Sequence, residues 1–306
     1  VPHQNDLGAF ARRELEDVRD EVYEKDLEPL SAYDYFPTRT ADESKEFHVI
    51  RQYDRIGYSR WYSQVANEFP RADAVIDEDQ FPIHQHVVAY GYTRKEMKRA
   101  RSGESVDLET KRGAAAMRAI RERNNFTAVY GDSAMGLFGA LTFASTPRVY
   151  FQNPINRNTN AETIVDEIRA CIDTPNEVTR NQTEIDYFAL PTAQYNHIRG
   201  RRMPGNSDQT VLSYLSEIVY GADNADAPNI TFIKMPELEG AGPNGEDVCF
   251  GFRNDQRTWG NTIAEPFTQE DPMQPNRLCW EIQCHSMTAG VSADYPLRNV
   301  IGILAG

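Results

Sequence analysis

The stretch "VDLETKRGAAAMRAIRERNNFTAVYGDSAMGLFGALT", Val106 to Thr142, decides the fold. Its first half predicts a helix capped by Ser105 or Asp107 and running to about Phe126, a rod of about 30 Å. Gly113, Ala116, Met117 and Ile120 fall on one stripe of that rod, and small residues there let it lie close against a sheet. In the second half Gly131 and Gly136 have the spacing of a phosphate-binding loop. That chemistry needs a lysine and a hydroxyl directly after the second glycine, and Leu137 and Phe138 stand there instead. A nucleophile elbow fails as well, because two residues separate Ser133 from Gly136. What is left is a structural turn in which Gly131, Gly136 and Gly139 act as backbone hinges between a helix and a sheet.

Upstream, "TRKEMKRARSG" predicts a short helix capped by Thr93 and ending near Gly103. Before it, "KEFHVIRQYDRIGYSRWYSQ" and "DQFPIHQHVVAYGY" have strand character and flank the acidic "VANEFPRADAVIDED". The simplest construction is a long two-stranded hairpin projecting from the body, with Phe81, Ile83, Val87 and Ala89 on one face of its second strand. An isolated hairpin is marginal in water. This one interleaves Tyr53, Tyr58, Trp61, Tyr62 and Phe69 with Arg51, Arg55 and Arg60, residue types that dominate protein interfaces. The bland alternative is that the hairpin folds back on its own domain. The segment from Gly8 to Leu30 reads as a charged amphipathic helix with a thin apolar stripe of Phe10, Leu15, Val18, Val22 and Leu27, an arm lying on something else.

Downstream from Asn160 the pattern turns α/β: "NAETIVDEIRACID" helix, "EIDYFALP" strand, "TAQYNHIRG" and "QTVLSYLSEIVY" helices, "NITFIKMPEL" strand. Arg199, Arg201 and Arg202 form a basic knot expected to pair with carboxylates. The remainder, through "RLCWEIQCHSMTAGV" and "YPLRNVIGILAG", is strand-rich and returns to the first module.

The 306 residues carry a formal charge of −14, which opposes a general nucleic-acid-gripping surface. No signal-like or membrane-spanning run occurs, so folding in the cytoplasm is expected, with the four cysteines reduced. Starting at Val1 fits initiator-methionine loss or proteolytic trimming equally. His84 and His86 share a strand face, but nothing nearby completes a metal ligand set. Cys279 and Cys284 fall on opposite faces of their strand. No catalytic, cofactor-binding or metal-binding constellation is complete, which leaves a hydrolase or metal enzyme using Ser133, His84 or His86 as a distant alternative.

The order of these parts resembles the major capsid proteins of tailed bacteriophages, with the Hong Kong 97-type fold. The likeness is carried by the helix followed by Gly-Asp and then Gly136, Leu137, Phe138, Gly139, Ala140 and Leu141. "YGYTRKEM" before it and "MTAGVSADYPLRNVIGI" near the end add to it. The resemblance implies an α+β fold with an N-terminal arm (1–44) and an extended loop (45–91). It further implies a discontinuous peripheral domain with a long spine helix (92–160 and 250–306) and an axial α/β domain (161–249). It implies a structural role: hexamers and pentamers closing into an icosahedral head around double-stranded DNA, assembled in the bacterial cytoplasm. The DNA is enclosed without sequence-specific binding, and no membrane is involved. A separate scaffolding protein, a portal and room for a decoration protein go with it, since no long N-terminal extension reads as a built-in scaffold. An encapsulin-type shell is the nearest alternative. The family's type member joins subunits through a loop lysine; no lysine occurs between Lys45 and Lys95, so that cross-link is not expected here.

Overall fold

Two sheets organise the chain in the computed structural model, which describes residues 27–57, 72–101, 108–204, 206–218 and 230–305. The first part comprises α1 (Ser31–Tyr35), β1 (Thr38–Thr40), β2 (Phe47–Ile56), β3 (Asp73–Pro82), β4 (His84–Thr93), α2 (Arg94–Arg101) and α3 (Leu108–Tyr130). Next come β5 (Arg148–Tyr150), α4 (Ala161–Val178), β6 (Tyr187–Leu190), α5 (Thr192–Gly200), β7 (Arg202–Met203), β8 (Asn206–Thr210) and α6 (Val211–Ile218). The rest is β9 (Thr231–Lys234), β10 (Val248–Phe252), β11 (Trp259–Gln269), β12 (Met273–Asn276), β13 (Cys279–Ala293) and β14 (Val300–Ile303).

The first sheet is built on β13. One side of it pairs antiparallel with β11 and β12, the other with β4, and β1 adds parallel to β11. The rod α3 crosses this sheet and buries Ala116 and Ile120 against Ile282 and Cys284, with Val88, Tyr90 and Tyr92 packed around them. Gly113 faces Tyr90, where a Cβ would stand 3.4 Å from the hydroxyl, an ordinary contact. Each large apolar side chain so buried contributes about 1.5–3 kcal/mol of transfer free energy. The helix continues through Thr127 to Tyr130, past the expected end near Phe126.

The second sheet runs β5-β14-β10-β6-β9. Helices α4, α5 and α6 supply Ile164, Ile168, Ile172, Ile198 and Leu215 to the core around Phe188. Helix α4 also runs longer than its periodicity suggested, through a buried Pro175. The boundary expected at 249/250 falls inside β10, and β14 is hydrogen-bonded between β5 and β10 rather than in the first sheet. The two sheets meet at an aromatic junction: Trp259 from β11, Phe250 and Phe252 from β10, and Phe36 from the segment after α1. Phe36 meets Trp259 edge-on with ring centroids 4.9 Å apart, geometry that adds about 0.5–1.5 kcal/mol per ring pair beyond area burial.

One strand assignment differs from the sequence reading. The hairpin partner of β2 is β3, the acidic "DAVIDEDQFP", in unbroken register from Phe47↔Pro82 to Ile56↔Asp73. "HQHVVAYGYT" is instead β4, paired with β13 along its whole length. Pro82 has no N–H to continue a ladder, and the chain changes sheets at Ile83, whose N–H bonds the Glu46 carbonyl at 2.9 Å. The break also reverses the expected face: Phe81 is buried, but Val87 is 59% exposed while Val88 and Tyr90 lie under α3.

Candidate assembly surfaces

Strands of ten residues carry the β2–β3 ribbon about 33 Å. Its base is tied to the body: Phe81 packs edge-on against Phe138, and the Gln52 amide donates to the Asp294 carbonyl at 2.8 Å. Beyond that, residues 73–80 are exposed on both faces, an arrangement a lone ribbon cannot stabilise. The outward face holds Val49, Tyr53 and Ile76, with Arg51 bonded to Glu78 at 2.7 Å across the strands. Among the contact residues expected from sequence, Tyr53 is 68% exposed and paired in register with Ile76, and Arg55 pairs in register with Ala74. Tyr58, Arg60, Trp61, Tyr62 and Phe69 lie outside the described residues.

The glycine segment forms a tight loop after α3. Asp132 and Leu137 exchange backbone hydrogen bonds of 2.8 and 2.9 Å, and Phe138 bridges to Gly290 in β13. Gly131 and Gly136 adopt the left-handed region at φ 70° and 68°. Gly139 is held by proximity, since a Cβ there would lie 2.3 Å from the Gly131 nitrogen. Gly290, which sequence reading passed over, combines φ 69° with a Cβ position 2.6 Å from the Phe138 carbonyl. The loop thus fastens the end of the rod to the centre of the first sheet.

Ser133 has no histidine base among its described hydrogen-bond partners. His84 bonds the Met135 carbonyl at 2.9 Å and His86 bonds Asn124 Oδ1 at 2.8 Å, so the two rings hold α3 and its following loop to β4. Burial pushes His86 below its usual range, with Arg123 pressing the same way and the Asn124 bond opposing. Among the described residues no three His, Cys, Asp or Glu side chains group as metal ligands, and no helix is long and apolar enough to cross a membrane. Arg201 donates to the Arg157 carbonyl at 3.0 Å, so that member of the basic knot meets backbone rather than a carboxylate.

Thr93 and Glu96 form a reciprocal cap at the start of α2: the Thr93 N–H donates to Glu96 Oε2 at 2.8 Å, and the Glu96 N–H donates to Thr93 Oγ1 at 3.4 Å. Arg112 on α3 then bonds Glu96 at 2.8 Å. These hydrogen bonds, Arg112 first, hold the Glu96 carboxyl down at about 2.

A projecting ribbon, a rod helix fastened to a long sheet and a second α/β body together define a shell-building protein of the Hong Kong 97 type. The profile of the family described as Major capsid protein matches residues 57–300, and the chain belongs to that family, whose members are structural proteins of the virion. The fold is shared with solved capsids of low sequence identity. The capsid of Myoviridae phage XM1 superposes with a TM-score of 0.81 at 15% identity, covering 96% of this chain and 98% of that one. Gordonia phage Cozz gives 0.62 at 14%, covering 98% and 94%. The capsid of a native GTA particle gives 0.67 at 12%, covering 98% of each. No curated protein matches the chain. None of these likenesses supports the encapsulin or enzyme readings.

Proposed function

We propose that many copies of this chain form hexamers and pentamers that close into the icosahedral head of a tailed bacteriophage. The head encloses double-stranded DNA without reading its sequence. The observation that carries this is the ribbon: Val49, Tyr53, Val75 and Ile76 are exposed on strands that bury almost nothing of their own, as suits a loop laid over a neighbour. On this reading residues 45–91 are the extended loop, with Tyr53, Arg55, Tyr58, Arg60, Trp61, Tyr62 and Phe69 in the contact between subunits. Residues 92–160 and 250–306 supply the peripheral domain and 161–249 the axial domain, except that β5, β10 and β14 belong to the second sheet with β6 and β9. Gly131, Gly136 and Gly139 keep the spine helix fixed to the peripheral sheet. The chain performs no catalysis and holds no cofactor. It assembles in the host cytoplasm with a scaffolding protein and a portal, and a decoration protein is compatible with its surface. The formal charge of −14 suits a container filled by an external motor, because strongly binding walls would impede packing.

Negative-stain electron microscopy tests this. Shells, or six-fold and five-fold rings, are the expected result. A chain that stays monomeric at high concentration and with a co-expressed scaffold would overturn it. Trp61→Ala should lower particle yield while leaving subunit folding intact.

A further inference from the structure

The ribbon carries a second surface, of opposite character to its outward face. In the unbroken β2–β3 register, Asp73, Val75 and Asp77 share a face with the buried Phe81. Asp77 stands opposite the anchoring Gln52, and Val75 and Asp73 lie beyond it; all three are exposed, and Val75 at 48% stands between two carboxylates. The charge is one-signed along this outer half.

A complementary surface lies at the far end of β4. Helix α2 presents exposed Arg94, Lys95 and Lys98, which the i,i+3 and i,i+4 spacings put on one side. Its single acid, Glu96, is turned to Thr93 and Arg112 and so does not offset them. The Arg94 N–H bonds the Leu278 carbonyl at 2.7 Å, which sets the helix beside the β12–β13 turn, and Leu278 there is 63% exposed. One surface is thus an apolar side chain flanked by carboxylates, the other an apolar side chain flanked by cations.

The two surfaces do not meet within one copy, since the residues of both stand exposed. The ribbon leaves the body where β4 begins and α2 starts where β4 ends, ten residues or about 33 Å away. A contact between non-identical patches of identical chains is heterologous, and such contacts generate rings when the rotation closes. We propose that the acidic outer half of the ribbon, Asp73, Val75 and Asp77, docks on the basic tip formed by α2 and Leu278 of a second copy. The contact rests on the shell reading above and names its complementary surfaces. In a chain of net charge −14 it also explains how copies that repel overall find one register: charge complementarity steers encounter and penalises the wrong pairing.

Charge reversal tests it in the full chain, in whatever expression system yields wild-type particles. Asp73→Lys with Asp77→Lys should cut the yield of sedimenting shells at least tenfold, and so should Lys95→Glu with Lys98→Glu. All four substitutions in one chain should restore the yield to within a few-fold of wild type, because each reversed ribbon then meets a reversed tip. These residues are exposed, and an unchanged thermal midpoint of the subunits will show that folding is not what was lost. Wild-type shells whose yield survives either reversal, or is not rescued by the combination, would overturn the contact alone. A wild-type chain that forms no particle under any condition would overturn the shell reading and the contact with it.

Discussion

The side-chain oxygen of Asn125, in the C-terminal part of the spine helix, accepts the backbone N–H of Ala32 at 3.0 Å and that of Tyr33 at 3.2 Å. Its amide donates to Glu237 Oε1 at 2.9 Å, and the same oxygen takes the Ser31 N–H at 3.0 Å. The first three amides of α1 are therefore capped from 90 or more residues away, because Leu30 at the N-cap position offers no side-chain acceptor.

Asn125→Ala leaves the buried Ala32 amide without a partner, while the Tyr33 amide keeps the Leu30 carbonyl at 3.1 Å. An unpaired buried donor costs about 1–3 kcal/mol, so the subunit should melt several degrees lower and α1 should become open to proteolysis near Tyr33. A thermal midpoint within about one degree of wild type would refute this, given the usual link between free energy and midpoint for a chain of this size.

The glycine turn separates two kinds of constraint. Gly136→Ala meets its nearest atom, in Pro82, at 3.6 Å, and so should cost only the left-handed backbone, about 1 kcal/mol. Gly290→Ala adds a Cβ 2.6 Å from the Phe138 carbonyl and should cost about 3 kcal/mol or more, with loss of soluble chain. Denaturant unfolding of the two variants side by side measures the difference; equal costs would mean that the Phe138–Gly290 bridge is not tight.

Acid should weaken the subunit through His86. Its folded value is depressed, chiefly by burial, so the fold prefers the neutral ring. As pH falls below the unfolded value near 6.5, the unfolded chain takes up a proton that the folded chain refuses, and stability drops. His48 and His197 are shifted the same way by burial. His86→Gln should reduce the slope of thermal midpoint against pH between about 7 and 5; an unaltered slope would assign the effect elsewhere.

Mature particles should run as single subunits on a denaturing gel. The ribbon region has no lysine from residue 46 to 94 to form an isopeptide bond with a neighbour. A ladder of high-mass species would contradict this.

Much of the architecture was readable because it rests on local signals. The Ala116 and Ile120 stripe gave the sheet-facing side of the rod, and the Thr93 cap gave α2. The β3–β4 division was harder, since both strands are continuous in composition and only Pro82 marks the change of sheet. Acidic "DAVIDED" looked like a loop because its charges stand on both faces; a strand with no core to face has no alternation to detect. Asn125, Glu237 and Gly290 were invisible for a different reason. Their work is done across separations of 90 to 206 residues, and no window along the chain contains both partners. Trp61 and Tyr62, proposed as contact residues, carry a compositional signal alone.

Strand β14 sits between β5 and β10, so its two hydrogen-bonding edges join parts of the chain made about 150 and 50 residues earlier. During synthesis the second sheet exists as two fragments, β5 on one side and β10-β6-β9 on the other, until residues 300–303 leave the ribosome. Closure of the sheet then waits on β14. A chain cut short before Val300 exposes two raw strand edges, and only one translated past it presents the finished body that a ring of neighbours can accept.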